Sequence, residues 1–519
     1  MDSSEPTLFE NATIICYDEE TQSSKILRNA SLLVEDGRVT QLAEGSLLGL
    51  PSSTEVIDAT GKTISPGFIN THHHMWQSAF RTLGPDTFLS EYFAGRYSQQ
   101  GPSGQHFTPE DVYLGQLACA LEMIDGGTTT VLDHAHGVFT NEHVDAALEA
   151  SFHSGLRIFF AHAIQEIKTT GYTTGMATEK LLQLSRDPRF ADKANPMALG
   201  VAYDGWAFAP VETNVKVMDM IINHNNTVSH PSAPFSLITS HHVAGPFPAT
   251  NSPTLLDSFP TSALSQPNLT TPAKVPVVFS HASFLSNNDA KVLRSNPHAS
   301  ISTTPESEAH YGHTSVGADL CQDCASLGVD THFTFSSFMP FQARFWLQSQ
   351  RYGRYRQTLA DNGEVPINNP MNCEAAFLLM TQKGGEALGR KDLGVISVGA
   401  QADLVLIDTK TRAGLWAVRD PVAAVVLHLG GAGDIEGVMV QGKWLKKDHE
   451  IMSPLVGPGG KDVAVDSVRD RFEVSALRIQ RIWEALPRPV FEEGAESMSG
   501  AKYGKCKTVS VKRKGSQRV

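Results

Sequence analysis

The sequence of 519 residues has few cysteines, no long apolar run and fewer basic than acidic side chains. Its six cysteines are too few for a disulfide scaffold, so we expect a cytoplasmic protein, in which thiols stay reduced. No apolar stretch approaches the ~20 residues that a membrane-spanning helix needs. Residues 1–6 have neither a basic region nor an apolar core. We therefore expect no secretory signal and no membrane partner.

The net charge of −13 makes nucleic acid an unfavourable partner for the body of the protein. A content of 19% charged and 41% apolar residues is typical of a globular enzyme rather than a disordered chain. A small neutral or cationic molecule is therefore the expected partner. Residues 500–519 differ from the rest, since they carry seven Lys or Arg and no acid, and we expect a basic disordered tail there.

Short runs that alternate apolar and polar residues occupy both ends of the chain. Near the N-terminus they include residues 13–17 and 38–42, and the same texture returns at residues 402–408 and 437–445. This alternation predicts antiparallel strands at both ends of the chain.

The middle of the chain, residues 66–390, alternates short apolar strands with helical segments. After a first strand that ends at His72, we predict seven more, at residues 128–134, 156–162, 197–203, 236–241, 275–281, 299–304 and 326–330. A helix is predicted at residues 109–124, with Thr108 as its N-cap and Pro109 as its first residue. Eight strand–helix units predict a (β/α)₈ TIM barrel whose active site lies at the carboxyl ends of the strands.

Histidines stand at the ends of several of these strands: His72, His74, His134, His136, His162, His241, His242 and His281. Residues two apart on a strand point to the same side, so His72 and His74 can both bind one metal ion. The alternative for this pair is a polar histidine run on a loop. For each of the others, the alternative is a hydrogen-bonded histidine near the barrel mouth.

Four motifs resemble those of the amidohydrolase superfamily, specifically the chlorohydrolase/deaminase (triazine-hydrolase-like) branch of these metal-dependent hydrolases. They are Pro-Gly-Phe-Ile-Asn-Thr-His-His-His at 66–74, Gly-Gly-Thr-Thr-Thr-Val-Leu-Asp-His at 126–134, Gly-Gly-Glu-Ala-Leu-Gly at 384–389 and Gly-Val-Ile-Ser-Val-Gly-Ala-Gln-Ala-Asp-Leu-Val at 394–405. The resemblance covers most of residues 7–450. It implies a barrel at 66–390 beside a small β-sandwich formed by residues 1–65 and 391–455. A helical extension at 456–499 and the tail at 500–519 would follow.

The resemblance also implies one divalent metal ion, with zinc expected and iron as the alternative. In the family, two histidines after the first strand, a histidine after the fifth and an aspartate after the eighth hold the ion. The matching residues are His72, His74, His242 and Asp330. His241 is the alternative to His242, which is favoured because the family pattern at this strand resembles His-x-Ala-Glu. The sixth-strand histidine, which orients the attacking water or polarises the substrate, matches His281.

One position departs from the family pattern. The family has a glutamate that moves protons three residues after the fifth-strand histidine. Here that position is Gly245, or Ala244 if His241 is the ligand, and neither can carry a proton. Asp330 can still accept the proton of the water, and His281 can assist.

The run at residues 305–313, after the seventh predicted strand, is rich in residues that can transfer protons. We expect Glu308 to replace the absent glutamate. Glu306, His310 and His313 are the alternatives within the run, and a polar loop without a catalytic role is the alternative to all four.

These features together predict a metal-dependent hydrolase that acts on a carbon–nitrogen bond, other than a peptide bond, of a small cyclic or heterocyclic compound. A hydratase, decarboxylase or isomerase on the same fold is one alternative, and a degenerate ligand-binding barrel is another. The absent glutamate favours both alternatives. Residues 246–274 are expected to form a loop over the barrel mouth, and the family resemblance predicts a homodimer.

Overall fold

The computed structural model describes residues 5–229, 232–246, 249–258, 275–313, 316–457, 461–497 and 499–509. Its strands, numbered along the chain, are β1 (Thr7–Asp18), β2 (Ser23–Glu35), β3 (Arg38–Glu44), β4 (Glu55–Asp58), β5 (Lys62–Pro66), β6 (Phe68–His73), β7 (Thr128–Ala135), β8 (Arg157–Ala163), β9 (Ala198–Ala202), β10 (Ile238–Val243), β11 (Ala249–Thr250), β12 (Val277–Ser283), β13 (Ala299–Thr303), β14 (Ala325–Leu327), β15 (Leu404–Asp408), β16 (Ile435–Val440), β17 (Lys443–Lys447), β18 (Glu450–Ile451), β19 (Leu455–Val456) and β20 (Asp462–Val463).

The α-helices, numbered in the same way, are α1 (Leu89–Glu91), α2 (Ser103–His106), α3 (Pro109–Asp125), α4 (Asn141–Ser154), α5 (Thr174–Leu184), α6 (Val211–Thr227), α7 (Pro253–Ser258), α8 (Asn287–Ser295), α9 (Pro305–His310), α10 (Ala318–Cys321), α11 (Met339–Asp361), α12 (Cys373–Leu379), α13 (Gln382–Ala387), α14 (Pro421–Leu427) and α15 (Val465–Ala485). A 3₁₀ turn at Met75–Phe80 follows β6 directly. Among the described residues, no helix combines the length and the apolarity that crossing a bilayer requires.

Eight parallel strands form a barrel in the order β6, β7, β8, β9, β10, β12, β13 and β14. Its two edges meet because the N–H groups of Val329 and Asp330, just beyond β14, both donate to the carbonyl of His72 in β6. All residues of β7 and β8 are buried, as expected for strands with the barrel interior on one face and helices on the other. The predicted (β/α)₈ barrel is confirmed, and the carboxyl ends of its strands open on one side.

Helix α3 shows why the sequence forms its elements where it does. The Thr108 hydroxyl accepts from the N–H of Asp111, and the Asp111 carboxylate accepts from the N–H of Thr108, which together make a capping box. Ser475 of α15 also donates to Asp111, at 2.6 Å, and Arg478 pairs with the same carboxylate. The C-terminal helix is therefore fastened to the start of α3.

The two ends of the chain contribute to one nine-stranded sheet beside the barrel. Strand β15 pairs antiparallel with β5 and with β16, so the C-terminal strands continue the N-terminal ones. A buried ion pair joins this sheet to the barrel: Arg157 Nε and Nη2 lie 2.7 and 3.0 Å from the carboxylate of Asp403. The proposed boundaries of the units, 1–65 with 391–455, 66–390, 456–499 and 500–519, stay a prediction.

Two expectations fall partly outside the described residues. Of the expected mouth loop at 246–274, residues 247–248 and 259–274 lie outside them, as do residues 510–519 of the expected tail. Residues 500–503 differ from the expected disordered tail, because the N–H of Tyr503 donates to the carbonyl of Ala495 and its carbonyl accepts from Gly494.

Candidate metal centre and active site

Four side chains from three parts of the barrel converge at the carboxyl ends of its strands. His72 lies in β6 and His74 just after it, His241 lies in β10, and Asp330 follows β14. Because alternate residues of a strand point the same way, His72 and His74 share one face of β6. We call His72, His74, His241 and Asp330 the front cluster.

The separations of the facing atoms match those around a small metal ion. Asp330 Oδ1 lies 3.4 Å from His72 Nε2 and 3.2 Å from His74 Nε2, and His241 Nε2 lies 3.4 Å from His74 Nε2. Ligand atoms about 2.0–2.1 Å from a tetrahedral ion are about 3.3 Å apart. His72 Nε2 is also buried without a hydrogen-bond partner among the described residues. Three imidazoles and a carboxylate in this arrangement fit a divalent metal ion.

A hydrogen bond at the other ring nitrogen orients each histidine of the front cluster. The partners of Nδ1 are the Ser280 hydroxyl at 2.9 Å for His72, the His134 carbonyl at 3.0 Å for His74 and Asp204 Oδ2 at 2.9 Å for His241. A carbonyl and a carboxylate only accept, so Nδ1 of His74 and His241 carries the proton and Nε2 presents its lone pair. Metal-binding histidines need this tautomer.

The charges of the front cluster also suit a cation. Burial holds the pKa of His72 well below its usual value. Burial acts to raise the pKa of Asp330, but the neighbouring His72 and His74 outweigh it and keep that pKa well below its usual value. Burial likewise acts to lower the pKa of His241, yet the charge of Asp204 outweighs it, so the pKa is raised. The cluster therefore combines an ionised carboxylate with the uncharged imidazole of His72.

The expectation that favoured His242 over His241 is wrong about the geometry. Neighbouring residues of β10 point to opposite faces, so only one of the two can face the barrel mouth. The ring centroid of His241 lies 5.0 Å from that of His72 and 5.3 Å from that of His74. Among the described residues neither ring nitrogen of His242 has a hydrogen-bond partner, and burial lowers its pKa to about 4.

Asp330 is held in place by the backbone and by Ser307. Its φ of +73° is uncommon for a residue with a side chain. The N–H of His74 donates to the Asp330 carbonyl at 3.1 Å, complementing the two bonds that His72 accepts from Val329 and Asp330. The Ser307 hydroxyl donates to Asp330 Oδ2 at 2.5 Å, which leaves Oδ1 towards the histidines.

Asp204, which was not among the residues predicted from the sequence, lies beside His241. Its carboxylate accepts from the N–H of His241 at 2.7 Å, from Nδ1 of the same residue and from the Ser240 hydroxyl at 3.2 Å. His134 Nε2 lies 3.3 Å from Asp204 Oδ2. Asp204 follows the fourth predicted strand directly, and the rule that sites lie at strand ends is the signal that could have found it.

His281 reaches the barrel mouth, whereas Glu308 lies behind it. His281 Nδ1 is 2.9 Å from Thr304 Oγ1 and 3.7 Å from Glu308 Oε1. The buried Glu308 carboxylate accepts from the Thr303 hydroxyl at 2.7 Å and from the N–H of Thr304 at 2.8 Å. Glu308 does not line the cavity, so its placement contradicts the expectation that it replaces the missing glutamate.

Neither position that could hold the family glutamate provides a carboxylate. Gly245 has a φ of +70°, and a Cβ added there would lie 2.8 Å from the ring of Phe284. Ala244, the position three residues after His241, has only a methyl group. The family glutamate is therefore absent whether His241 or His242 is taken as the fifth-strand histidine.

A cavity of about 390 Å³ opens above the front cluster. Its apolar wall consists of Leu89, Tyr92, Phe93, Val243 and Tyr311, and its polar wall of Ser98, Gln99, Gln100, His136, Asp204, His281 and His313, with His74, His241 and Asp330 at the base. No lysine or arginine is among the described residues that line it. Of the alternatives to Glu308, His313 lines the cavity, whereas Glu306 accepts from Gln342 at 3.0 Å.

His136 is a polar residue of the cavity with a fixed tautomer. The indole N–H of Trp76 donates to His136 Nδ1 at 2.9 Å. Because an indole only donates, Nδ1 carries no proton and Nε2 is the N–H of the ring. The ring stacks on His74 with centroids 3.8 Å apart. His162, in contrast, donates through Nε2 to the carbonyl of Ala177 and is not among the cavity residues.

Comparisons with known proteins agree with this architecture. A sequence profile of the amidohydrolase family matches residues 63–203 and 327–445, which make up half of the chain. The chain is similar to the 5'-deoxyadenosine deaminase of Methanobrevibacter smithii, at 24% identity over 81% of this chain and 89% of that protein. It is also similar to the 5-methylthioadenosine/S-adenosylhomocysteine deaminase of Bacillus cytotoxicus, at 22% identity over 86% of this chain and 94% of that protein.

A solved structure shares the fold. The atrazine chlorohydrolase of Arthrobacter aurescens TC1, complexed with zinc, matches 91% of this chain and 100% of its own with a TM-score of 0.71 at 15% identity. The family that the four motifs resemble is thus confirmed. The chain belongs to the amidohydrolase family, and it is a hydrolase that acts on carbon–nitrogen bonds.

Proposed function

We propose that this protein uses one zinc ion to remove an amino group, by hydrolysis, from a small neutral heterocycle. The observation that carries the proposal is the convergence of the front cluster beneath a cavity of about 390 Å³. The deaminases among its relatives support the type of bond, and the zinc in a protein of the same fold supports the metal.

His72, His74, His241 and Asp330 are the residues that would hold the ion. A bound zinc ion lowers the pKa of a water molecule to about 7 and polarises the group under attack. The hydrogen bonds at Nδ1 keep His74 and His241 in the tautomer that leaves Nε2 for the ion. Asp330 is the carboxylate at the base of the cavity, and it accepts the proton that the water loses.

His281 is the second residue that handles protons. The Thr304 hydroxyl lies 3.5 Å from Glu308 Oε1, towards which it donates, so its oxygen accepts from His281 Nδ1. This arrangement leaves Nε2 of His281 as an acceptor on the cavity side, where it orients the attacking water. Glu308 then acts through His281, as a positioning residue, rather than on the substrate.

His136 supplies a hydrogen-bond donor on the wall of the cavity. The Trp76 indole holds its proton on Nε2, so the ring offers an N–H to a ring nitrogen or an exocyclic oxygen of the substrate. His136 polarises that atom by hydrogen bonding, which is part of what the absent glutamate does in the family. The proton for the departing amine then comes from Asp330 or His281, which have taken it from the water.

The cavity favours a flat substrate without negative charge. Tyr92, Phe93 and Tyr311 offer aromatic surface, and the amides of Gln99 and Gln100 offer donors and acceptors. Since the described lining has no lysine or arginine, it has no cation for a carboxylate or phosphate. We therefore expect purine, pterin or triazine amines to be better substrates than S-adenosylhomocysteine.

Metal analysis followed by a substrate panel tests the proposal. Protein purified without chelator should contain close to one equivalent of zinc, and it should release ammonia from an aminopurine, aminopterin or aminotriazine. His242→Leu is the matched control, since it changes a neighbouring histidine outside the front cluster.

Two results would contradict the proposal. The first is less than about a tenth of an equivalent of zinc, iron or manganese in active preparations, because the chemistry needs the ion. The second is turnover of chloro- or thioether-substituted rings with no turnover of the matching amines. That pattern would favour the second candidate, a hydrolase for better leaving groups, which the missing glutamate supports.

A further inference from the structure

A second group of side chains of the types that bind metals lies behind the front cluster. His73 of β6, Cys119 of α3 and His332 are all buried, and we call them the rear cluster. His73 Nε2 lies 3.0 Å from His332 Nδ1, and Cys119 Sγ lies 3.2 Å from the former atom and 3.8 Å from the latter. By residue type and distance alone, these three side chains also suit a metal ion.

The hydrogen bonds of Asn70 show where the proton of His73 lies. Asn70 Oδ1 accepts from the N–H groups of His72 and Val329, at 3.3 and 3.1 Å. The amide is therefore oriented with Nδ2 towards His73 Nδ1, at 3.1 Å. An amide nitrogen only donates, so Nδ1 of His73 accepts and the proton lies on Nε2.

The hydrogen bonds of His332, at the other end of the rear cluster, independently indicate that His73 Nε2 donates to His332. The Ser78 hydroxyl donates to the carbonyl of Gly115 at 2.7 Å, so its oxygen accepts from His332 Nε2, also at 2.7 Å. His332 Nδ1 is then the acceptor, and His73 Nε2 donates to it. Every donor in this chain, from Asn70 to Gly115, meets an acceptor.

This chain of hydrogen bonds is incompatible with a metal ion in the rear cluster. A metal ligand needs a lone pair, and His73 Nε2, which faces Cys119 and His332, carries a proton. Removing that proton would require the Asn70 amide to turn, which would break its bonds with His72 and Val329.

The rear cluster is connected to the front cluster through the chain. His73 lies between His72 and His74, and His332 lies two residues after Asp330. Backbone hydrogen bonds also join residues 72–74 to residues 329–330. The N–H groups of Val329 and Asp330 donate to the carbonyl of His72, and the N–H of His74 donates to the carbonyl of Asp330. Gly328 permits this close approach, since a Cβ there would lie 2.9 Å from His72 Cβ.

We propose that the chain Asn70–His73–His332–Ser78 is a positioning device that sets the separation between the His72–His74 pair and Asp330. The inference rests on the proposed zinc site. It assigns no metal to the rear cluster and no contact with substrate to His73 or His332. Their effect is on the zinc affinity, because they hold the two segments that carry the zinc ligands in register.

Zinc binding by variants of His332 tests this proposal without a substrate. Glutamine has an acceptor and a donor that can replace Nδ1 and Nε2, whereas leucine is of similar size and has neither. We expect His332→Leu to weaken zinc binding by about 10–100-fold and His332→Gln by less than about threefold. The measurements are competition with a chromophoric chelator and the melting temperature of the metal-free protein.

Measuring both zinc affinity and melting temperature distinguishes a positioning role of His332 from a loss of stability. Equal zinc affinity in His332→Leu and wild type would overturn the proposal, even if the variant melts at a lower temperature. If His332→Leu does not fold, Ser78→Ala removes the acceptor of His332 Nε2 with a smaller change, and unchanged zinc affinity there would overturn the proposal as well. A wild-type protein that binds no zinc would overturn the proposed function first and this inference with it.

The number of bound ions tests the exclusion of a rear metal site. We expect one equivalent of zinc in both wild type and Cys119→Ala. The cobalt-substituted protein should show no thiolate-to-cobalt charge-transfer absorption. A second equivalent that Cys119→Ala loses, or a thiolate band that it abolishes, would show a metal site and refute the hydrogen-bonded chain.

Discussion

The front and rear clusters lie on opposite sides of β6 and differ in where their protons are. In the front cluster, acceptors at Nδ1 of His74 and His241 direct lone pairs at a common point. In the rear cluster, a donor at Nδ1 of His73 places a proton between the two rings. Both clusters bring histidine nitrogens together, 3.4 Å apart in the front cluster and 3.0 Å apart in the rear one, although the fourth member of the front cluster is a carboxylate and the third of the rear cluster is a thiol.

This difference shows that the remote ring nitrogen decides what a buried histidine can do. A neutral imidazole has one donor and one acceptor, so a partner at one nitrogen determines the role of the other. Three successive histidines, His72 to His74, therefore serve two purposes: the outer two face Asp330, and the middle one fastens the strand to the segment after Asp330.

The largest expected effect comes from removing a histidine of the front cluster. His72→Ala should reduce bound zinc to below about a tenth of an equivalent and abolish ammonia release, because the ion needs all four ligands. Metal analysis and an amine-release assay measure both. Full zinc content with normal turnover would refute the role of the front cluster.

A matched pair on β10 tests which face of that strand holds the ligand. His241→Leu should remove zinc as completely as His72→Ala, whereas His242→Leu should keep its zinc, since only His241 lies near His74. The same metal analysis measures the zinc content of both variants. The opposite result would restore the assignment that the sequence favoured.

The Asp204→Asn variant probes how the front cluster obtains its tautomers. The amide nitrogen of asparagine would face His241 Nδ1, which would move the ring proton to Nε2 and compete with the ion. We expect zinc binding to weaken by about 10–100-fold, measured by chelator competition. Unchanged affinity would mean that Asp204 does not orient His241.

The smallest effect is expected from Glu308→Gln. Because Glu308 lies behind His281 and not in the cavity, we expect less than about a tenfold fall in kcat. A proton shuttle would cost about 10²–10⁴-fold, so the two roles are separable by steady-state kinetics. A loss in the larger range would return Glu308 to the catalytic residues.

Much of the fold was predictable because its elements follow local patterns. Each of the eight predicted barrel strands overlaps an observed one, from Phe68–His73 to Ala325–Leu327, since buried parallel strands are continuous apolar runs. Helix α3 begins at Pro109 as predicted, because a capping box specifies it. The choice between His241 and His242 could not be made from the sequence, because it depends on which face of β10 lines the barrel, and a one-residue change in register reverses that face.

The family, the barrel and the paired histidines at a strand end follow from the order of amino acids alone. These features depend on local sequence patterns, namely apolar runs, helix caps and short motifs of neighbouring residues. Which histidines meet, and where their protons lie, depends on contacts that form when the chain folds. The partners that settle this, Asp204 for His241, Trp76 for His136 and Asn70 for His73, are hydrogen-bonded in three dimensions, and two of the three are distant in sequence.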